Sequence, residues 1–311
     1  MLTVKNRNAA QAIDYYTQGI CQINQTRWFG RGAATLGLSG RVNHHESFAN
    51  VCNALTPDGG SKLGRKRKWA AIDCTFSAPK SVSLSALLGD DERLLEAHRL
   101  AVEKTLLQIE KHHAQTRLVL GNKRYRVNTG NLIVAQFDHV ESRELDPHLH
   151  THALVMNLTQ ADDGRWYSLH NREIYKHKKH LGMLYQSHLR AEVEILGYDT
   201  VSREHGQFEI AGYAPEVLVN FSKRRQQILA EVGGVKASFQ TREDAWSITR
   251  KNKRFLPLEE LKQAWRREAQ TLGIVAVLPE VQNKQDDNFH QKQLEQRQAC
   301  QPIRVVRGIR L

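Results

Sequence analysis

The segment LHTHALVMNL, residues 149–158, constrains this chain more than any other. It is apolar on both faces, as a covered central strand is, yet it carries two histidines at positions i and i+2. Side chains at that spacing leave a strand on one side, so His150 and His152 point together, with Leu154 and Met156 further along the same face. An unpaired polar group buried there is costly, so the imidazoles need a purpose. The preceding apolar run NLIVAQFDH, 131–139, reads as a second strand ending at His139. If the two strands pair through the 140–148 loop, His139 comes beside His150. Three imidazoles then converge on one face with coordination positions to spare, the arrangement of a catalytic metal site.

The other elements surround this pair. LTV (2–4) reads as a short strand, and Asn8 as the N-cap of a helix over 9–16. WAAIDCTF, 69–76, reads as a strand. Its Asp73 lies opposite Ile72 and Cys74 and needs a partner: a salt bridge, a metal-bound histidine to orient, or a proton to accept. Pro79 opens helical material, and Asp90 or Asp91 can cap a long helix with apolar residues from Leu94 to Ile109. Residues 117–127 read as a basic hairpin turning at Gly121-Asn122. Helices are expected over 172–196, ending at Gly197, and over 258–273. Mixed strands and helices with an antiparallel hairpin give an α+β fold. The expected organisation is a core over 1–234, a basic helical extension over 235–280, and a polar tail or linker over 281–311.

Charge points to the partner. Lys and Arg number 45 against 33 Asp and Glu, a net charge of +12, which suits a polyanion. The basic residues cluster: Lys62, Arg65, Lys66, Arg67 and Lys68; Lys123, Arg124 and Arg126; Lys176, Lys178 and Lys179; Arg250, Lys251, Lys253 and Arg254. Trp28, Trp69, Tyr125 and Trp166 stand near them as candidate stacking platforms for bases. Four scattered cysteines without a CxxC pair disfavour a disulfide framework and a zinc ribbon and suggest a reducing cytoplasm. No apolar run approaches the ~20 residues that span a bilayer.

Tyr15 and Tyr16 are adjacent in the first helix. Tyr16 shares a face with Ile13 and Ala9 and is the core candidate, with a hydroxyl expected to be dispensable. Tyr15 lies about 100° away and looks elsewhere.

The YY pair, LGLSG (36–40), TFSAPKSVSL (75–84), TGNLIVAQF (129–137) and SRELDPHLHTHALVMN (142–157) together resemble the relaxase domain of conjugative plasmid-transfer proteins of the TrwC/TraI (MobF) type. The likeness continues through LHNREIYKHKKHLGMLYQSHL (169–189) and FSKRRQQI (221–228) and covers about residues 1–275. It implies an HUH-endonuclease fold: an antiparallel sheet of about five main strands flanked by helices, with a small C-terminal helical extension. It implies that Tyr15 is the nucleophile, Asp73 the acidic residue beside the site, and His139, His150 and His152 the metal ligands. Tyr16 is the one candidate for a second tyrosine, because ICQINQTRWF has none where many relatives carry more. Lys80, in the TFSAPKS motif, joins the DNA-binding candidates.

The implied reaction is strand- and site-specific nicking at a plasmid transfer origin. The tyrosine attacks a phosphodiester, leaving a 5′-phosphotyrosyl link and a free 3′-OH, and the strand can later be rejoined. The implied cofactor is one divalent metal ion, Mg or Mn by the family's habit, with Zn, Ni or Co suited to three imidazoles. The implied partners are single-stranded DNA, an origin hairpin and other transfer proteins. No G-x-x-x-x-G-K-[ST] loop occurs, so a separate helicase or a missing C-terminal part is expected to unwind the DNA. The rival readings are an idle origin-binding protein and a metal-dependent hydrolase that cuts with water.

Overall fold

The computed structural model describes residues 1–17, 26–42, 45–233 and 256–279, with three single positions between the last two. Its centre is a five-stranded sheet built from β1 (Leu2–Arg7), β2 (Thr26–Phe29), β3 (Ala71–Ser77), β6 (Val134–Glu141) and β7 (Pro147–Met156). The spatial order is β1-β3-β7-β6-β2, and every neighbouring pair is antiparallel. β7 is therefore the central strand, as its two apolar faces required.

Helices cover both faces. α1 (Ala9–Thr17), α2 (Arg31–Thr35) and α3 (His45–Cys52) belong to the side that carries the histidines, where Tyr16, Phe48, Phe137 and Leu154 share one apolar cluster. α4 (Lys80–Leu87), α5 (Arg93–His113) and α6 (Arg172–Ile195) cover the other face, packing on Ile72, Cys74, Phe76, Ala153 and Val155. α1 begins where Asn8 stands. Its Oδ1 accepts from the Gln11 amide at 2.8 Å, and Gln11 Oε1 accepts from the Asn8 amide in return, a reciprocal cap that satisfies two N-terminal donors. α6 stops two residues before Gly197, which takes the left-handed φ of 88° that ends helices.

Among the described residues three small antiparallel pairs decorate the core: β4 (Gln115–Leu120) with β5 (Lys123–Asn128), β8 (Thr159–Gln160) with β9 (Trp166–Tyr167), and β10 (Thr200–Arg203) with β11 (Gln207–Ile210). The basic hairpin is β4–β5, and Gly121, with φ 60°, makes its turn. α7 (Pro215–Asn220), α8 (Lys223–Glu231) and α9 (Leu258–Thr271) follow. Residues 1–278 cohere as one unit, so α9, expected as part of an extension, packs with the core through its buried Trp265. Residues 279–311 form a separate unit that lies, but for its first residue, outside the described residues. β2 and α3 have no counterpart among the elements expected from the sequence; both are short and flanked by polar residues, so periodicity does not betray them.

Candidate active site

The register of the sheet assembles the site. His139 pairs with His150 across β6–β7, while Thr75 pairs with His152 across β3–β7. The three imidazoles thus share one face, with ring centroids 5.2–5.3 Å apart. Rings bonded to one ion at about 2.1 Å with tetrahedral angles would have centroids roughly that far apart.

His150 and His152, both on β7, are oriented through Nδ1. His150 Nδ1 lies 2.9 Å from the His148 carbonyl, which can only accept. His152 Nδ1 lies 2.9 Å from Asp73 Oδ1. Both contacts favour the proton on Nδ1, so that Nε2 keeps its lone pair for an ion, the outer-sphere arrangement typical of metal-binding imidazoles. Burial, followed by the neighbouring His148, His152 and His139, pushes the His150 pKa well below its usual value, so the ring is a neutral donor at pH 7. The donor set therefore fits a divalent ion. As placed, among the described residues, no three such side chains are yet gathered about one point, so closing on an ion takes rotation of the rings.

Asp73 is 2% exposed and fully engaged. Oδ1 accepts from Thr75 Oγ1 at 3.1 Å and meets His152, while Oδ2 accepts from Arg7 Nη2 at 2.7 Å, Arg7 Nε at 3.1 Å and the Tyr16 hydroxyl at 2.7 Å. Burial alone would raise its pKa. His152 and then Arg7 outweigh that and hold the carboxylate well below its usual range.

The two tyrosines differ as the helix geometry predicts, with one correction. Tyr16 is buried against Phe137, as expected. Its hydroxyl, expected to be dispensable, donates to Asp73 and lies 3.1 Å from His152 Nδ1. Burial, then the Asp73 charge, raises its pKa well above 10, so it stays a phenol. Tyr15 is half-buried, with its ring centroid 5.9 Å from that of His152 and the Arg7 guanidinium carbon 5.9 Å from the ring. The accessible phenol is thus Tyr15.

Arg7, Thr75 and His148 escaped the sequence reading. His148, half-buried, stacks on His150 with centroids 4.8 Å apart. Its signal was available, since HLHTH repeats histidine at i, i+2 and i+4. Arg7 had none, being 66 residues from the carboxylate it binds.

The basic candidates separate. Lys62, Arg65, Lys66 and Lys68 are exposed, with Lys68 over the Trp69 ring. Arg67 is half-buried and donates to Ser168. Lys123, Arg124 and Arg126 are exposed on the hairpin along with Tyr125, and Lys176 and Lys179 are exposed on α6, with Lys178 half-buried. Lys80 does not join this surface: its Nζ donates to the Pro147 carbonyl at 2.6 Å, and burial lowers its pKa to about 8. Arg250, Lys251, Lys253 and Arg254 lie outside the described residues.

Comparison with known proteins agrees with this fold. The sequence model of the TrwC relaxase family matches residues 3–272. The multifunctional conjugation protein TraI of Escherichia coli K12 is 38% identical over 277 residues, which cover 83% of this chain. The chain spans only 15% of that relative's length. Conjugative relaxase TrwC in a metal-bound complex with oriT DNA superposes with a TM-score of 0.82 at 35% identity, over 89% of this chain and 100% of that one. TrwC complexed with a 27-mer DNA comprising the recognition hairpin and the cleavage site superposes with a TM-score of 0.80 at 34% identity, over the same shares.

Proposed function

The chain belongs to the TrwC relaxase family, and on that premise we propose that it nicks and rejoins one DNA strand at a plasmid transfer origin through Tyr15. The observation that carries this reading is the half-buried Tyr15 phenol beside His152, within a cluster of three histidines backed by Asp73. In the reaction the Tyr15 oxygen attacks phosphorus, its proton is lost, the P–O3′ bond breaks, and the 3′ oxygen takes up a proton. The energy of the phosphodiester is kept in the 5′-phosphotyrosyl bond, so rejoining needs no ATP.

His139, His150 and His152 hold one divalent ion in this reading, as their shared face, the neutral His150 ring and the Nδ1 contacts of His150 and His152 support. When bound, the ion supplies positive charge at a non-bridging phosphate oxygen. Asp73 orients His152 rather than accepting a proton, since Arg7, Tyr16 and Thr75 already occupy its oxygens. Arg7 keeps that carboxylate charged and faces Tyr15.

The exposed loop 62–68, the β4–β5 hairpin and the lysines of α6 bind DNA by charge, and a two-stranded ribbon has the right width for the major groove of an origin hairpin. Arg250, Lys251, Lys253 and Arg254, outside the described residues, add positive charge for the same DNA. Unwinding and assembly with other transfer proteins lie with other domains or other chains. No helix among the described residues is long and apolar enough to cross a membrane, and the reading places the protein in the cytoplasm.

The test is a denaturing gel with a labelled single-stranded origin oligonucleotide and Mn²⁺. A slowly migrating covalent adduct supports the relaxase. Free cut product without an adduct would favour a hydrolase, and intact DNA an idle binding protein.

A further inference from the structure

We propose that Trp265 and Lys223, on two elements remote in sequence from the histidines, are positioning residues that set His139 against His150. This rests on the reading of those histidines as metal ligands.

The argument begins with the connection between the two histidine strands. β6 and β7 pair in register at His139–His150, but the next pair is Glu141–Pro147. His148 and Leu149 together therefore oppose the single residue Val140, a bulge one step from two of the three imidazoles. Beyond it, the turn from Ser142 to Asp146 reverses the chain. Leu145 there has φ 62°, a left-handed conformation that any residue with a Cβ resists. Such a residue holds that conformation only when its surroundings dictate it.

Some of the constraint is internal. Ser142 Oγ accepts from the amides of Glu144 and Asp146, and the Leu145 amide donates to the Ser142 carbonyl. The rest arrives from outside. The Trp265 indole on α9 donates to the Leu145 carbonyl at 2.5 Å. The Lys223 amide, at the start of α8, donates to Asp146 Oδ2 at 2.8 Å, and its Nζ lies 3.3 Å from Asp146 Oδ1. The same Nζ reaches Glu268, three residues along α9 from Trp265, at 2.7 Å. α8 and α9 are thus tied to each other and to one turn. Asp146 is 1% and Trp265 2% exposed, so water has little access to the carboxylate or the indole, while the Lys223 ammonium is partly solvated.

A metal site tolerates little displacement of its ligands, and groups that fix the first ligands affect affinity almost as the ligands do. A slack turn lets the bulge shift and His139 slide against His150. α9 is therefore part of the histidine site's scaffold.

The test uses the full chain with Trp265→Phe and, separately, Lys223→Met. The first keeps an aromatic ring and removes the N–H, while the second removes the ammonium. Mn²⁺ affinity is measured by calorimetry at a temperature where circular dichroism shows the variant folded, and DNA affinity is measured in chelator. We expect at least one variant to bind Mn²⁺ about tenfold more weakly, with DNA affinity kept and adduct formation recovered at high Mn²⁺. Unchanged Mn²⁺ affinity in whichever variants fold, or a loss that excess Mn²⁺ does not repair, would overturn the proposal. His150→Ala serves as the control: if it too binds Mn²⁺ normally, the three-histidine reading has failed instead.

Discussion

Removing one oxygen from Tyr16 separates the roles of the adjacent tyrosines. In Tyr16→Phe the ring keeps its packing on Phe137, and the hydroxyl's 2.7 Å bond to Asp73 is lost together with its 3.1 Å contact with His152 Nδ1. A hydrogen bond to a charged group contributes about 1.5–3 kcal/mol. Asp73 keeps both bonds from Arg7, so no buried charge is stranded and the cost belongs near the lower end, about 1.5 kcal/mol. For a unit of 278 residues that lowers the melting temperature by about 2–3 °C. Among the described residues, the Tyr15 hydroxyl shows no such bond, so Tyr15→Phe should melt with the wild type. The covalent chemistry should divide the other way: Tyr15→Phe forms no adduct, and Tyr16→Phe still forms one. Differential scanning calorimetry reads the first contrast, and mass spectrometry of the peptide retaining the oligonucleotide reads the second. A Tyr16→Phe protein as stable as wild type would refute the energetic argument, and a nucleotide mapped to Tyr16 would reverse the assignment of the nucleophile.

Three further outcomes follow from the same geometry. His150→Ala or His152→Ala should abolish the adduct and weaken Mn²⁺ binding while most DNA affinity survives, because phosphate contacts by Lys and Arg dominate that affinity; normal cutting by both variants in chelator contradicts it. Replacing Lys123, Arg124 and Arg126 together with alanine should flatten the slope of log affinity against log salt on a duplex-hairpin oligonucleotide by roughly 2–3, and an unchanged slope removes the hairpin from the interface. Asp73, whose pKa is depressed in the folded state, contributes stability that is present above the ordinary carboxylate value near 4 and is lost as pH falls toward the lower folded one. Wild-type protein should therefore lose its melting-temperature advantage over Asp73→Asn below about pH 4, and parallel curves for the two proteins down to pH 2 would speak against the depressed value.

What the sequence reveals here and what it hides divide along a physical line. Periodicity reports the faces of a single element. Alternation in LHTHALVMNL therefore put His150 and His152 on one side, and helical spacing put Tyr16 inward and Tyr15 elsewhere. Pairing of two strands adjacent in sequence was also within reach, so the His139–His150 contact followed from one short connection. The partners of Asp73 were not. They depend on the sheet order, which sets β1 beside β3 across more than sixty residues and lays α1 on the same face. Arg7 sits on β1 and Tyr16 on α1, so one early segment of chain delivers both the cation and the hydroxyl to a carboxylate that no local pattern connects to either. Lys80 shows the converse. Its place in a basic, serine-rich motif suggested DNA, but the start of α4 turns its amine onto the Pro147 carbonyl beside the histidine strand. Local pattern thus identifies which residues carry chemistry, whereas the topology decides what each one touches. Asp73 is the clearest case, since its chemistry is set almost wholly by neighbours distant in sequence.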